Sequence, residues 1–66
     1  MLEYKMRIDF DADRWFQVEA VLIDGRYGLE FTTSPGALQV TLAERGKLLG
    51  AVAACIKAIN AFEGVG

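Results

Sequence analysis

The chain has 66 residues, of which 53% are hydrophobic and 24% are charged, and its formal net charge is −2. We expect one domain, residues 1–66; a chain this short buries only about 60% of its unfolded surface and gains by associating with another chain. The weakly acidic balance argues against a dedicated nucleic-acid-binding domain, because such domains usually carry a basic stripe.

Residues 2–10 predict a half-buried β-strand, because apolar and charged side chains alternate strictly along them. One set is apolar: Leu2, Tyr4, Met6, Ile8 and Phe10. The charged side chains between them point the other way, and their mixed signs are typical of a solvated sheet face.

Residues 14–24 fit a helix. Asp11 could cap its start, and Gly25 suits the left-handed position that follows a helix. The weakness of this interpretation is Glu19, which would fall within the apolar sector of the helix.

The same residues also fit a strand, since Asp24-Gly25 is a strong two-residue hairpin turn. Pairing across that turn would join apolar residues: Leu22 to Tyr27, Ala20 to Leu29 and Val18 to Phe31. Its weakness is that Glu19 would face Glu30, a like-charge pair. The local pattern slightly favours the strand.

Residues 27–33 and 38–42 predict a hairpin. Both segments alternate, with Leu38, Val40 and Leu42 pointing inward on the return strand. Between them, Pro35 followed by Gly36 fits the centre of a type II turn.

Residues 48–62 predict the final helix, which is apolar on one face and built of small residues on the other. We expect core or dimer contacts from the large residues, together with Trp15: Leu49, Val52, Ile56 and Ile59. We expect the small face to let a partner approach closely: Gly50, Ala53, Ala54, Lys57 and Ala61. Alternatively, alanine is there simply as a good helix former. No good capping side chain precedes this helix, and we expect residues 64–66 to fray.

The apolar run of this helix is about fifteen residues long and Lys57 interrupts it, so we expect no membrane span, which needs about twenty. The chain has no histidine and one cysteine, which leaves no zinc site and no internal disulfide. We expect Cys55 to be a small buried hydrophobe in a reducing, cytoplasmic setting. No constellation indicates catalysis, a cofactor or a metal site.

Four segments resemble the small dimerisation subunit of the KEOPS complex, the Pcc family related to cancer-testis antigens, or a diverged paralogue of it. They are Ile8-Asp9-Phe10-Asp11, Val21-Leu22-Ile23-Asp24, the run from Leu38 to Glu44 and the run from Leu49 to Cys55. The chain departs from the family pattern at Arg45, Gly50 and Ala54-Cys55. That complex makes threonylcarbamoyladenosine on tRNA.

The resemblance implies a two-layer β-α-β-β-α fold of the α+β class, with a three-stranded antiparallel sheet in the order 2-3-1 and two helices on one face. It therefore favours the helix at 14–24. The alternative fold is a four-stranded meander followed by the C-terminal helix.

The resemblance also implies a non-catalytic subunit that pairs with itself or with a paralogous small subunit. Its helices would dock the catalytic tRNA-modifying subunit, and tRNA would be contacted at most indirectly. The alternative is a small homo-oligomeric module that binds single-stranded nucleic acid or a small ligand through its sheet. The expected outer sheet face argues against this alternative, because it has mixed charge and no aromatic residue: Glu3, Lys5, Arg7, Asp9, Glu30, Thr32, Gln39 and Thr41.

Overall fold

A computed structural model describes residues 1–64 and shows a three-stranded antiparallel sheet with one helix on one of its faces. The elements are β1 (Lys5–Asp9), β2 (Trp15–Ile23), β3 (Arg26–Ser34) and α1 (Arg45–Glu63). The α+β class and the three antiparallel strands are as expected. The sheet order is β1-β2-β3, so the expected order 2-3-1 is wrong. Val65 and Gly66, where we expected fraying, lie outside the described residues.

The helix expected at 14–24 is wrong, because residues Trp15–Ile23 form β2. The reason lies at Asp24 and Gly25, which both have positive φ, 52° and 83°. Positive φ at both loop residues is what a type I′ hairpin turn requires. The strand pairing that had been the alternative is confirmed: Leu22 with Tyr27, Ala20 with Leu29, and Val18 with Phe31.

The like-charge pair that counted against this strand is present. Glu19 lies opposite Glu30 on the outer face of the sheet. On its other side, Glu19 lies opposite Lys5 of β1. The attraction between Lys5 and Glu19 is of the same order as the repulsion between Glu19 and Glu30, because each cross-strand charge pair contributes only about 0.2–1 kcal/mol. The strand can therefore tolerate the like-charge pair.

The return strand expected at 38–42 is wrong, and with it the fourth strand of the alternative fold. Residues 35–41 have no regular structure, and Gly36 does not have the positive φ that a type II turn needs. The carbonyl of Gln39 accepts a hydrogen bond from Arg14 at 2.9 Å instead of pairing with β3. Leu38 still packs against the core.

The core lies between β2 and α1. Its buried residues are Phe16, Val18, Ala20, Ala51, Cys55 and Ile59. The expected alternation of β1 is confirmed, since Met6 and Ile8 pack against this core while Lys5, Arg7 and Asp9 are exposed. The helix lies mainly over β1 and β2. On β3 its clearest contact is the edge-to-face packing of Phe62 on Tyr27, with ring centroids 5.5 Å apart.

The N-cap residue of α1, Glu44, makes no side-chain capping hydrogen bond at the helix, as expected, but a reciprocal pair of hydrogen bonds closes the turn just before it. The Thr41 hydroxyl accepts the Glu44 N–H at 3.2 Å, and the Glu44 carboxylate accepts the Thr41 N–H at 3.0 Å. This reciprocal pair is a capping box, and its signature, threonine followed three residues later by glutamate, is visible in the sequence. It begins the turn that leads into the helix at Arg45.

Arg14 connects this cap to the start of β2. Its guanidinium makes two hydrogen bonds to the Glu44 carboxylate and one to Asp11 at 2.8 Å. Asp11 also accepts the Arg14 backbone N–H at 2.9 Å, so it shapes the β1–β2 loop rather than capping a helix. Arg14 therefore joins three segments: this loop, the irregular segment through Gln39, and the start of α1.

Candidate interaction surfaces

The most apolar exposed surface of α1 is the side that faces away from the sheet. Leu49 and Ile56 are 60% and 43% exposed and lie seven residues apart, two turns along one side of the helix. Gly50, Ala53 and Lys57 are exposed beside them. We call these five residues the exposed helix face. Two large apolar side chains stand there next to small ones, so a partner could both approach closely and gain apolar contact.

The residues expected at the small face fall mostly on this side of the helix. Gly50, Ala53, Lys57 and Ala61 are exposed, and Ala54 is half-buried. The residues expected in the core or at a dimer contact divide between the two sides. Ile59 is buried and Val52 packs against the core, whereas Leu49 and Ile56 lie outside the core of the single chain.

Trp15, which we grouped with the core, lies on the outer face of the sheet. It is half-buried, and the Arg7 guanidinium lies 4.3 Å from its ring centroid in a cation–π arrangement. Arg7 also bonds to Asp9 at 3.0 Å. The expectation that this face has no aromatic residue is wrong, because it rested on residues 14–24 being a helix.

A groove of about 290 Å³ opens where the N-terminal residues pass the end of β2. Its lining includes Leu2, Leu22, Tyr27 and the carboxylate residues Glu3 and Glu19. The Tyr27 hydroxyl already accepts the Leu2 N–H at 2.8 Å. The groove is therefore apolar with an acidic rim, and its hydroxyl is engaged in holding the N-terminal segment.

Cys55 is fully buried in the core, as expected, and burial raises the pKa of its thiol. A thiolate is the reactive form of cysteine, so this environment disfavours nucleophilic or redox chemistry. Within residues 1–64, no three side chains of the metal-ligating types His, Cys, Asp and Glu come together. No helix in the described part of the chain has the length and apolar character needed to cross a membrane.

The outer edge of β3 carries unpaired main-chain groups. The Ala20 N–H donates to the Tyr4 carbonyl at 3.0 Å, so Ala20 directs its main-chain groups away from β3. Backbone groups alternate in direction along an antiparallel ladder, so Glu19 and Val21 direct theirs towards β3, where their partners are Glu30 and Gly28.

The alternate residues of β3 consequently present their N–H and C=O groups at the free edge: Tyr27, Leu29, Phe31 and Thr33. Within the described chain, no other backbone or side-chain group bonds to these main-chain groups. We call this surface the β3 edge. Phe31, on the helix-bearing side of the sheet, is 55% exposed there, and its ring packs at 5.6 Å from that of Phe16.

Comparison of the chain with protein-family models, with curated proteins and with solved structures finds no match.

Proposed function

We propose that this protein is a non-catalytic interaction subunit that binds a larger protein through the exposed helix face. The observation that carries the proposal is the exposure of Leu49 and Ile56, two turns apart on one side of a helix whose other side already fills the core. Contiguous exposed apolar surface rimmed by polar residues is typical of protein-binding sites. Lys57 and Asn60 supply polar groups at its rim.

The small residues of this face set the distance of approach. A Cβ added at Gly50 would meet nothing within 4 Å, so the position is open to solvent in the single chain. A partner helix that crosses there gains dispersion contacts along its length, which a larger side chain would prevent. The face therefore fits a helical segment with apolar side chains that fill the space between Leu49 and Ile56.

The resemblance to the KEOPS small subunit makes the catalytic subunit of that tRNA-modifying complex the first partner to test. The parts of the resemblance that depended on a helix at 14–24 and on a strand at 38–42 are lost. What supports it now is the run from Leu49 to Cys55, which contributes Leu49 and Ala53 to the exposed helix face, whereas Gly50 departs from the family pattern. Participation in tRNA modification remains a prediction that rests on that run.

The test is co-purification with the catalytic subunit, followed by titration of variants. Gly50→Leu and Ala53→Leu, at two exposed positions of this face, should weaken binding by about 1–3 kcal/mol or more through overpacking, while the isolated domain keeps its fold. Ala37→Leu is the matched control, because Ala37 is an exposed alanine outside the helix. If the catalytic subunit does not co-purify with this chain, it is not the partner. If all three variants bind the partner with equal affinity, the exposed helix face is not the binding site.

A second candidate function is binding of single-stranded nucleic acid through the outer sheet face. Trp15 with Arg7 is the observation that favours it, because a base can stack on such a pair. Trp15 is the one tryptophan of the chain, so its fluorescence reports on this face alone. An oligonucleotide that quenches Trp15 fluorescence in the wild type and in Gly50→Leu, but not in Arg7→Gln, would favour this function over the first.

A further inference from the structure

We propose that two copies of this chain associate by antiparallel pairing of their β3 edges, with Leu29 on the two-fold axis. This surface is separate from the exposed helix face, so the proposal does not depend on the function proposed above. The product would be a six-stranded sheet with both helices on the same face. This follows because rotation about an axis perpendicular to the sheet does not exchange the two faces of the sheet.

The two edges of the sheet differ in the way that favours β3. The edge strand β1 is five residues long, and its alternate residues at the free edge, Lys5, Arg7 and Asp9, are all charged. Short, charged edge strands resist pairing with other chains. The strand β3 is nine residues long, contains no proline or lysine, and carries charge only at Arg26 and Glu30. It is therefore the edge on which another strand can add.

The segment that leaves β3 does not cover this edge. Gly36 and Ala37 are exposed, and the carbonyl of Gln39 is held by Arg14 of the β1–β2 loop. The main-chain groups of Tyr27, Leu29 and Phe31 are consequently available to a strand from outside. Pairing centred on Leu29 would satisfy them with about six inter-chain hydrogen bonds, two for each hydrogen-bonded residue pair.

Charge excludes one of the possible registers. A two-fold axis at Glu30 would place the two Glu30 carboxylates directly opposite each other, which destabilises a sheet. An axis at Leu29 instead places Glu30 opposite Gly28 of the second copy, and its two diagonal neighbours are then Arg26 and Glu30 of that copy. Diagonal neighbours lie about 7–8 Å apart, within reach of these long side chains, so each Glu30 can pair with an Arg26.

Apolar contacts select the same register over an axis at Phe31. With Leu29 on the axis, the helix-bearing face gains three apolar pairs: Leu29 with Leu29 and, twice, Phe31 with Tyr27. With Phe31 on the axis, Leu29 would lie opposite Thr33 and Tyr27 opposite Pro35. In the Leu29 register, each Phe31 also lies beside Phe62 of the other copy, because that Phe62 packs on the Tyr27 that Phe31 faces. Phe62 is 52% exposed in the single chain.

Sedimentation equilibrium over a concentration series tests the association. The wild-type chain should be dimeric, and Phe31→Lys should raise the dimer dissociation constant at least tenfold, because an edge lysine opposes strand pairing. Leu42→Lys, at a leucine that is 80% exposed in the irregular segment, is the matched control and should leave the dimer unchanged. A wild-type chain that stays monomeric up to about 1 mM, or equal dimerisation by the two lysine variants, overturns the proposal.

Glu30→Arg separates the dimer from the fold. It removes the repulsion from Glu19 within the chain, so the monomer should be at least as stable as wild type. It also faces the second copy's Arg26 with a like charge, so dimerisation should weaken. Adding Arg26→Glu should restore the dimer. Failure of the double variant to recover, with both variants folded by circular dichroism, would contradict the Arg26–Glu30 pairing.

The register itself is measured with a spin label on a cysteine introduced at Thr32. The axis at Leu29 places the two labelled backbone sites six residues apart along the sheet, about 20 Å at 3.4 Å per residue. The axis at Phe31 places them two residues apart, about 7 Å. Cys55 is fully buried and should stay unlabelled. A distance near 20 Å confirms the Leu29 register, and a clearly shorter or longer one overturns it.

Discussion

The guanidinium of Arg14 binds the carboxylate of Glu44 through two parallel hydrogen bonds, Nη1 to Oε1 at 3.0 Å and Nη2 to Oε2 at 2.8 Å. The two residues are thirty positions apart and come from different elements, the start of β2 and the turn before α1. This bidentate geometry is the strong form of the arginine–carboxylate pair. It fixes where the helix begins relative to the sheet.

We predict that Arg14→Gln lowers the midpoint of thermal unfolding more than Arg7→Gln does. Arg14 holds Asp11, Gln39 and Glu44 together, whereas Arg7 bonds only along its own strand, to Asp9, and covers Trp15. The measurement is thermal denaturation followed by circular dichroism. Equal effects of the two substitutions would show that the connection between β2 and α1 adds nothing to stability.

The same ion pair predicts an acid-dependent loss of stability. The hydrogen bonds from Arg14, with a further one from the Thr41 N–H, lower the pKa of Glu44 from 4.5 to about 2. A carboxyl group whose pKa is lower in the folded chain stabilises the fold above its unfolded pKa. That contribution is lost as the pH falls from about 4.5 to about 2. The pKa of Asp11 is lowered too, first by Arg14 and then by the Asp13 N–H.

Denaturant unfolding at several pH values between 7 and 2 measures this effect. Glu44→Gln should be less stable than wild type at neutral pH, and the difference should shrink as the acid limit is approached. A constant difference between the two proteins across this range would mean that the Glu44 charge is not what stabilises the turn before α1.

The hairpin turn predicts opposite effects of one substitution at two glycines. Gly25→Ala should destabilise the fold by about 1–2 kcal/mol, because Gly25 has a φ of 83° that L-residues adopt at a cost. Gly46→Ala should stabilise it by up to about 1 kcal/mol, because Gly46 lies in α1 with open space around a Cβ. Equilibrium unfolding in urea gives both values, and Gly25→Ala at wild-type stability would argue against the type I′ turn.

The two sides of α1 predict different costs for isoleucine truncation. Ile59→Ala removes a buried core side chain and should cost about 2–5 kcal/mol. Ile56→Ala, on the exposed helix face, should change stability by less than about 1 kcal/mol. Comparable losses at the two positions would mean that Ile56 is buried in the folded chain.

Burial of Cys55 predicts slow modification of its thiol. In the native state an alkylating reagent should react with Cys55 only through unfolding, because the side chain is inaccessible and its thiol pKa is raised. The rate should therefore rise with urea in parallel with the unfolded fraction. Rapid alkylation without denaturant would show that the contact between α1 and β2 opens locally.

Much of the fold could be predicted where one local pattern had one explanation. The alternation of residues 2–10 contains β1, and the apolar face of residues 48–62 contains the core residues Cys55 and Ile59. The capping box of Thr41 and Glu44 could also have been found, since its spacing is in the sequence.

The candidate sites could be predicted only in part. Gly50, Ala53 and Lys57 were placed on a partner face from their size and spacing alone, and they are exposed. Leu49 and Ile56 were grouped with Val52 and Ile59 because all four are large and apolar. A single helix cannot bury its whole circumference against one sheet, and the sequence does not say which part of the apolar surface meets β2.

For residues 15–23 the local pattern favoured the strand, and a tertiary contact removed the one objection to it. The sequence by itself determined the turn at Asp24 and Gly25 and the apolar alternation of Phe16, Val18 and Ala20. It also contained the conflict between Glu19 and Glu30, which no local rule resolves. Lys5 of β1 lies on the other flank of Glu19 only when all three strands are aligned, and that alignment is a long-range contact.

The path of residues 35–44 was likewise decided only in three dimensions. Leu38, Val40 and Leu42 alternate as a strand would, and nothing in their own sequence argues against one. Arg14 lies twenty-five residues before Gln39 and competes for its carbonyl, so the chain turns to the start of β2 instead of running back along β3. A charged side chain that can make five hydrogen bonds outweighs a local preference for alternation, and the β3 edge is left open as a result.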